Sequence, residues 1–288
     1  MRVVVVGSAG LVGRHVVAAA IAGAHQVTAL ARALPDGTPL DLGADLSGLR
    51  KVCAQADAVI WAAALPSVEG CEADPSTTRI INVDVVAAVL KTLAPSTAFV
   101  AFSSEYVFDG CKGSDYVEGD TRRAINVYGQ QKIDLEDVVL THPKACVLRI
   151  SGVYGPEAHS RKNFVLQLID ASRAGRRLAV ACDQWITPTF APDLGAVVVD
   201  VAGSVARGSF AGLLHAAGPV VLRRDAFAEQ VAAVLGLRDD VVDAKGTLML
   251  GLKAPRPAHV GLCTSLLRQV TTSVIRSPRE ALSLFKES

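Results

Sequence analysis

The chain begins with an apolar run that leads directly into three evenly spaced glycines. Val3–Val6 predicts a buried strand, and the glycines after it follow a G-x-x-G-x-x-G pattern that opens a helix. The first glycine permits a tight turn, the second lets the backbone approach a pyrophosphate, and the third lets helix and strand pack closely. The amino end of a helix adds amides and a positive dipole for phosphate. This context predicts a dinucleotide-binding turn. Its candidate cofactor contacts are Gly7, Gly10, Leu11, Val12 and Gly13.

Short β-branched runs alternate with Ala- and Leu-rich helical stretches through the first half of the chain. We predict helices that begin near Leu11, Leu46, Thr78 and Tyr128. Near-continuous apolar strands joined by helices indicate a parallel sheet covered on both faces, so we expect a doubly wound α/β fold. The predicted strands are Val3–Val6, Gln26–Ala31, Ala58–Trp61, Ala98–Phe102 and Cys146–Ile150.

The alternation of β-branched runs with Ala- and Leu-rich stretches gives way to a different pattern after Gly155-Pro156. Helices are predicted within Asn163–Arg177 and over Arg224–Leu235, and a Pro/Arg-rich stretch covers Ala254–Ala258. No long Gly/Ser or Pro linker separates the halves. We therefore predict a nucleotide-binding domain over residues 1–155, with return segments near 190–218, and a smaller α/β lobe that is mainly formed by residues 156–288.

Composition excludes several classes of protein. The 288 residues are 50% hydrophobic with a net charge of +1, so no broad field attracts nucleic acid or an anionic membrane. Met1-Arg2 runs straight into the first strand, unlike a secretory leader. No two of the cysteines form a Cys-x-x-Cys pair, which leaves a metal site unsupported. We expect reduced cysteines in the core of a cytoplasmic protein.

The end of the second predicted strand indicates which dinucleotide binds. An acidic residue there would hold the adenosine ribose, but the chain has Ala29-Leu30-Ala31-Arg32. Arginine suits a phosphate and cannot accept ribose hydroxyl hydrogen bonds, so Arg32 favours NADPH over NADH unless it is only a surface charge. Asp41 and Leu42 are candidates to line the adenine, with Asp45-Leu46 as an equal alternative.

Tyr128 and Lys132 are four residues apart, which places both on one face of a helix. An unperturbed phenol has a pKa of about 10, too high for acid–base work at neutrality. A neighbouring ammonium would lower the pKa of Tyr128 and make it a usable proton donor. Of the four tyrosines only this one has a lysine at that spacing. The alternative is a tyrosine beside a lysine on a solvated helix.

Ser104 follows a predicted strand in the string Phe102–Gly110. The carboxyl ends of parallel strands form the ligand crevice, so this serine is expected to face the cofactor. It could donate a hydrogen bond to a substrate carbonyl while Tyr128 delivers the proton. The alternative is that it only caps the following turn.

With these residues in place, the sequence resembles the extended short-chain dehydrogenase/reductases, specifically the dTDP-4-dehydrorhamnose reductase family. That family typically has Ser-Thr-Asp-Tyr-Val-Phe-Asp-Gly where this chain has Ser103–Gly110. The resemblance implies a Rossmann-type fold and extends over most of the chain. Further matches are Ala62-Ala63-Ala64, Val68, Glu72, Asn82, Asn126–Gly129 with Lys132, Arg149–Gly155, Asn163-Phe164, Asp183-Gln184, Pro188-Thr189 and Arg256-Pro257.

The resemblance also implies roles for single residues. Tyr128 would protonate the developing alkoxide at the sugar C4, Lys132 would hold the nicotinamide ribose, and Ser104 would orient the carbonyl in place of the family's threonine. The candidate substrate contacts, each with packing or surface exposure as the alternative, are Val68, Glu105, Tyr106, Asn163, Trp185 and Arg256. The further cofactor contacts implied are Ala62, Ala63, Ala64, Ser103, Tyr128 and Lys132.

The lining of the expected pocket departs from the family pattern. Glu105 replaces aspartate, Gly152 stands where tryptophan is common, and Trp61 replaces asparagine. This drift favours a related 4-keto-6-deoxysugar over dTDP-4-dehydrorhamnose itself.

We therefore expect NAD(P)H-dependent reduction of the C4 ketone of a dTDP-linked 4-keto-6-deoxyhexose in deoxysugar biosynthesis. A nucleotide-sugar epimerase or dehydratase is one alternative; for a dehydratase Glu105 supplies a carboxylate, but a matching second group is missing. A non-catalytic nucleotide-binding regulatory subunit is the other. The expected partner is a nucleotide sugar, without nucleic acid or membrane, and a homodimer is an open option.

Overall fold

The computed structural model describes residues 1–32, 41–42, 46–157 and 163–287. Its strands are β1 (Arg2–Val6), β2 (Gln26–Leu30), β3 (Ala58–Trp61), β4 (Ala98–Ser104), β5 (Ala145–Ile150), β6 (Val153–Tyr154), β7 (Leu178–Ala181), β8 (Trp185–Ile186), β9 (Thr189–Phe190), β10 (Gly212–His215), β11 (Leu222–Arg223) and β12 (Val242–Lys245). Its α-helices are α1 (Leu11–Ala22), α2 (Ser47–Ala54), α3 (Val68–Ala73), α4 (Pro75–Arg79), α5 (Val85–Leu90), α6 (Val127–Val139), α7 (Phe164–Arg173), α8 (Ala191–Ala206), α9 (Arg224–Leu235), α10 (Leu267–Val270) and α11 (Pro278–Glu287).

The large sheet has the order β2-β1-β3-β4-β5-β10, and every pair in it is parallel. The prediction of a doubly wound α/β fold is confirmed. β3 has the predicted bounds, and the other predicted strands differ from the observed ones by at most two residues at either end. β2 pairs with one edge of β1 and β3 pairs with the other, so the order of the strands reverses at β1. This reversal creates a crevice at the carboxyl ends of β1 and β3, where such folds bind ligands.

Both faces of the sheet are buried, which explains why β1 is apolar at every position from Val3 to Val6. Val3 and Val5 pack with α1 and α8 on one face, whereas Val4 and Val6 pack with α2, α5 and α6 on the other. The helices α1 and α8 lie so close that a Cβ on Gly195 would come within 2.5 Å of the His15 carbonyl oxygen. Helices therefore cover both faces of the sheet, and a site can form only at the ends of its strands.

Local chemistry sets most helix starts within a residue of prediction, with one clear miss. We predicted a helix near Thr78, but α4 begins at Pro75. The Asp74 side chain accepts a hydrogen bond from the Thr77 amide, and proline fits the first turn of a helix, so the helix begins earlier. A π-helical turn over Ile80–Asp84 then joins α4 to α5.

The second half of the chain contributes to both the sheet and a separate core. α8 packs on the sheet and β10 forms its edge strand. A second apolar cluster lies beneath α7, α9 and α11, with Tyr154, Leu168, Phe227 and Leu282 fully buried. α9 has the predicted bounds, whereas α7 ends at Arg173, before Gly175 with φ +66°. The division into a nucleotide domain and a substrate lobe stays a prediction.

The cysteines only partly match the expectation that they fill the core. All six are free, and Cys53, Cys71 and Cys146 are buried. Cys111 is exposed, so for this residue the expectation is wrong: it lies in an exposed stretch of the loop after β4, where the chain has no core to fill. Within the described ranges no helix is long and apolar enough to cross a membrane.

Candidate functional site

A cleft of about 470 Å³ lies at the carboxyl ends of β1 and β3. It contains eight of the predicted cofactor residues: Gly7, Gly10, Arg32, Asp41, Leu42, Ala62, Ala63 and Ala64. Leu11, Val12 and Gly13 follow in the first turn of α1 and are not among the lining residues. Ala9, Ala31, Leu65 and Ile81 also line the cleft and were missed, because small or apolar side chains there carry no chemical signal in the sequence.

The glycine turn has the geometry that its spacing predicts. Gly7 has φ +89°, and a Cβ on it would lie 2.4 Å from the Ala63 amide nitrogen. A Cβ on Gly13 would lie 2.2 Å from the Gly7 carbonyl oxygen, so this glycine lets α1 approach the turn. Gly10 lies on the open side, where a Cβ would meet only the Gly7 oxygen at 3.4 Å. The buried Ser8 hydroxyl has no hydrogen-bond partner among the described residues. The turn therefore fits a pyrophosphate.

The adenosine end of the cleft is bordered by the residues that the sequence singled out. Arg32 is exposed and lines the cleft together with Asp41, Leu42 and the alanines that follow β3. The competing assignment at Asp45-Leu46 includes Asp45, which lies outside the described residues.

Ser104, Tyr128 and Lys132 meet at the end of β4. The Ser104 side chain lies close to the Tyr128 phenol and opposes the rise of its pKa, and the Ser104 hydroxyl donates a 2.6 Å hydrogen bond to Glu105 Oε2. Lys132 Nζ donates to the Phe102 carbonyl oxygen at 2.9 Å and lies 5.6 Å from the centroid of the Tyr128 ring. All three side chains are buried. Neighbouring turns of one helix thus place the phenol beside Ser104 and the ammonium at the Phe102 carbonyl, two residues earlier in β4.

Two features hold α6 in place for this arrangement. The Asn126 side chain caps its first turn by accepting from the Gly129 amide at 2.8 Å. Gly129 itself faces the 3₁₀ turn Glu105–Val107, and a Cβ there would lie 2.1 Å from the Tyr106 carbonyl oxygen. The glycine between the tyrosine and the lysine therefore sets how closely α6 approaches β4.

Electrostatics at the site differ from the simple expectation. Burial raises the pKa of Tyr128, the charge of Glu105 raises it further, and the Ser104 hydrogen bond opposes both. Burial also lowers the pKa of Lys132 to about 8, against the negative influence of Cys71 and Glu136. The expected lowering of the Tyr128 pKa by Lys132 is thus wrong for the protein alone. Desolvation outweighs the ammonium, which is directed at Phe102.

Glu105 and Tyr106 form the wall next to Ser104. Burial raises the pKa of the Glu105 carboxyl, and hydrogen bonds from Ser104 and Ser151 oppose this shift. The Tyr106 ring meets Tyr128 edge-on, with 5.8 Å between ring centroids. Arg256 lies with its Cζ 5.9 Å from the Tyr106 ring and donates to Glu69 Oε1 at 3.0 Å. Three predicted substrate contacts are thereby brought together.

Arg224 lies beside Tyr106 and was not predicted as a site residue. It hydrogen-bonds Tyr106, and its Cζ lies 5.0 Å from the centroid of the Phe164 ring. The sequence showed it only as the first residue of a predicted helix. The direction in which it points depends on how α9 packs, which no local pattern specifies.

Of the other predicted residues, Trp185 and Val68 are at least partly exposed, whereas Asn163 and Ser103 form hydrogen bonds within the protein. Trp185 is 39% exposed with its ring 5.5 Å from His259, and Val68 is half-buried at the start of α3. Asn163 caps α7 and donates to the Gly155 carbonyl oxygen at 3.1 Å. The Ser103 hydroxyl donates to Glu136 at 2.5 Å. The side chains of Asn163 and Ser103 are therefore hydrogen-bonded to other residues of the protein.

Over the described ranges, no group of three or more His, Cys, Asp or Glu is placed to hold a metal ion.

Comparison with known proteins resolves which family this cleft and triad belong to. The sequence profile of the RmlD substrate binding domain matches residues 1–288. The chain belongs to this family. It is 30% identical over 285 residues to dTDP-4-dehydrorhamnose reductase of Mycolicibacterium smegmatis, which covers 98% of this chain and 84% of the relative.

Two further likenesses extend over nearly the whole chain. A probable dTDP-4,6-dihydroxy-2-methyloxan-3-one 4-ketoreductase of Streptomyces antibioticus is 28% identical, covering 98% of this chain and 93% of the relative. The crystal structure of dTDP-4-dehydrorhamnose reductase from Bacillus anthracis in complex with NADP superposes with a TM-score of 0.86 at 23% identity. It covers 99% of this chain and 98% of that one. At this identity the structural likeness supports the fold.

Proposed function

We propose that this RmlD-family protein reduces the C4 ketone of a dTDP-linked 4-keto-6-deoxyhexose, with NADPH as reductant and NADH as a possible second. The observation that carries the proposal is the convergence of Ser104, Tyr128 and Lys132 at the end of β4, the strand that pairs with β3, whose following alanines line the cleft. Relatives named as reductases of dTDP-4-ketosugars match almost the entire chain. The protein is on this basis an NAD(P)H-dependent oxidoreductase.

The dinucleotide would lie along the cleft with its pyrophosphate at Gly7–Gly13, and when bound it supplies the hydride for the ketone carbon. Tyr128 holds the proton for the ketone oxygen, and Ser104 orients that oxygen by a hydrogen bond. Lys132 lies one helical turn from the phenol and would hold the nicotinamide ribose. Its charge would stabilise the phenolate once the phenol has given up its proton.

The sugar nucleotide would lie against the wall that Glu105 and Tyr106 form. Arg256 suits a diphosphate, and the open ring of Trp185 suits a base or sugar face. Val68 would contribute an apolar edge. Asn163 would shape the pocket through its cap on α7 instead of touching the substrate, because its amide is already bonded within the protein.

This proposal includes the division of the chain into a nucleotide domain over residues 1–155, with returns near 190–218, and a mainly substrate-binding remainder. The return of α8 and β10 to the large sheet supports it. We further propose a short-chain dehydrogenase/reductase that works in deoxysugar biosynthesis in the cytoplasm, with homodimer formation to be tested by light scattering.

A cofactor-consumption assay tests the function directly. The protein is incubated with NADPH and a panel of dTDP-4-keto-6-deoxyhexoses, while absorbance at the NADPH band and product NMR are followed. We expect one NADPH consumed per C4 alcohol formed. A sugar that changes while NADPH absorbance stays constant would refute the reductase and leave an epimerase or dehydratase. A dTDP-sugar that already has a C4 hydroxyl is the control and should consume no NADPH.

A further inference from the structure

Helix α6 presents three side chains to the end of β4 on successive turns. Tyr128, Lys132 and Glu136 are four residues apart and so share one face. Tyr128 meets the Ser104 hydroxyl, and Lys132 Nζ meets the Phe102 carbonyl oxygen at 2.9 Å. Glu136 Oε1 accepts the Ser103 hydroxyl at 2.5 Å. Three consecutive residues of β4 are thereby each held by a different turn of the same helix.

Glu136 is the most firmly held of the three. Its carboxylate is fully buried and receives both Nε and Nη2 of Arg149 at 2.8 Å, a bidentate pair with a residue of β5 that is 1% exposed. Arg122 Nη1, from the loop before α6, donates to Glu136 Oε2 at 3.2 Å. The carboxylate therefore joins β4, β5, α6 and this loop at one point.

Stability alone does not account for such a cluster. Burying a carboxylate and a guanidinium costs about as much as their attraction returns, and apolar residues of similar size often serve a fold as well. The cluster lies directly behind the reacting groups, since Ser103 precedes Ser104 and Glu136 follows Lys132 by one turn. This placement indicates a role in the site.

We propose that Glu136 is a positioning residue, which ties Ser103 to α6 and thereby fixes Ser104 relative to Tyr128, and whose carboxylate, one helical turn beyond Lys132 on the same face of α6, attracts the ammonium of that lysine. This inference rests on the proposed ketoreductase function for its effect on turnover. Its effect on Lys132 holds for the protein without cofactor.

The charges around Lys132 show why Glu136 matters. Burial disfavours the ammonium, and the groups that favour it are Cys71 on α3 and Glu136 on α6. Glu105 acts on the neighbouring Tyr128. If the Glu136 carboxylate were neutralised, Arg149 would remain buried without its carboxylate partner, whereas Arg122 would keep its ion pair with Asp137.

The first test replaces Glu136 by its uncharged isostere. In wild type without cofactor, the Cε signal of ¹³C-labelled Lys132, assigned with Lys132→Met, should titrate near pH 8. In Glu136→Gln we expect this midpoint to fall by about one pH unit or more. We also expect kcat at pH 7.5 to fall by at least about tenfold, with KM for the sugar changed by less than about threefold. Asp134→Asn, which removes a carboxylate of the same helix that pairs with Arg79 and Gln130 and with no member of the Glu136 cluster, should change neither quantity.

A second variant keeps the proposal testable if Glu136→Gln does not fold. Ser103→Ala removes only the bond from β4 and leaves every charge in place, so Lys132 should still titrate near pH 8. We expect kcat to fall by about tenfold while NADPH affinity stays within about twofold. An unchanged kcat in Ser103→Ala would overturn the positioning role, and an unchanged Lys132 midpoint in Glu136→Gln would overturn the electrostatic one. A wild type that reduces no sugar would refute the proposed function, and the Lys132 titration would still decide the charge effect.

Discussion

The Ser104 hydroxyl donates to Glu105 Oε2, and the Ser104 side chain also acts on the pKa of the neighbouring Tyr128 phenol. With the site as it stands, Tyr128 is a weaker acid than an exposed phenol, because burial and Glu105 both raise its pKa. A phenol in this condition holds its proton firmly until an oxygen with developing negative charge accepts it. That property suits a proton donor to an alkoxide better than a base.

Tyr128→Phe removes only the phenolic hydroxyl, which carries the proposed donated proton, and keeps the aromatic ring. We expect turnover to fall by at least about a hundredfold, since general acid catalysis contributes on that order or more. The NADPH dissociation constant, measured by quenching of cofactor fluorescence, should change by less than about threefold because the ring remains. Preserved turnover would remove the phenol from the mechanism.

Arg32→Ala tests the discrimination between the two dinucleotides. In wild type we expect kcat/KM to favour NADPH over NADH, because a guanidinium on the rim of the cleft can pair with the 2′-phosphate. The variant should lose about tenfold in kcat/KM with NADPH and little with NADH. Arg14→Ala, in α1 and not among the residues that line the cleft, serves as a matched control. An unchanged preference in Arg32→Ala would make Arg32 a surface charge only.

At the scale of elements, the approach of α6 to the turn after β4 depends on Gly129. A methyl group there would overlap the Tyr106 carbonyl oxygen, so the helix would have to move away from the strand that carries Ser104. We expect Gly129→Ala to lower the free energy of unfolding by about 1–3 kcal/mol in urea titrations and to lower kcat as well.

Gly48 provides the matched control, because it also lies within a helix but a methyl group added there would have no atom within 4 Å. Gly48→Ala should raise the free energy of unfolding by about 0.4–1 kcal/mol through the restricted unfolded chain, with kcat unchanged. If both variants behaved alike, the close contact at Gly129 would have no role in setting the helix position.

Prediction of elements from sequence succeeded where the signal was local. The alternation of apolar runs gave five of the six strands of the large sheet but not the edge strand β10, and the helix predicted near Tyr128 is α6, which begins at Val127. Sequence could not specify a role where one side chain has several uses. The assignment of Asn163 to the substrate stays a prediction, and in the folded protein its amide caps α7 and bonds Gly155. A cap and a ligand contact require the same residue type, so only packing distinguishes them.

At the scale of the whole molecule, the edge strand β10 brings a buried histidine to the back of the reaction centre. His215 is fully buried, its Nε2 lies 3.4 Å from Arg149 Nη1, and its Nδ1 lies 3.1 Å from the Cys263 carbonyl oxygen. Burial, followed by the charge of Arg149, lowers the pKa of His215 to about 3. The imidazole is therefore neutral in the folded protein at any ordinary pH.

This histidine predicts a pH dependence of stability. Between pH 6.5 and about 3 the unfolded chain binds a proton at His215 that the folded protein does not, so its contribution to stability is lost as pH falls through this window. From about pH 6.5 to about pH 4.5 wild type should lose roughly 2–3 kcal/mol more than His215→Gln in urea titrations. His25→Gln, at a partly exposed ring, is the control and should keep the wild-type slope. Equal slopes in wild type and His215→Gln would contradict the prediction.

The sequence by itself determined the parallel sheet, the glycine turn and the family, and it supplied the trio proposed to react, because each rests on short-range spacing or on a string of residues read in order. Tertiary structure alone decided that Ser103 faces Glu136 and that Arg224 reaches Tyr106. It also decided that Tyr128 becomes a weaker acid beside its lysine. These outcomes depend on burial and on contacts between residues far apart in the chain. Desolvation and long-range packing act only once the protein has folded.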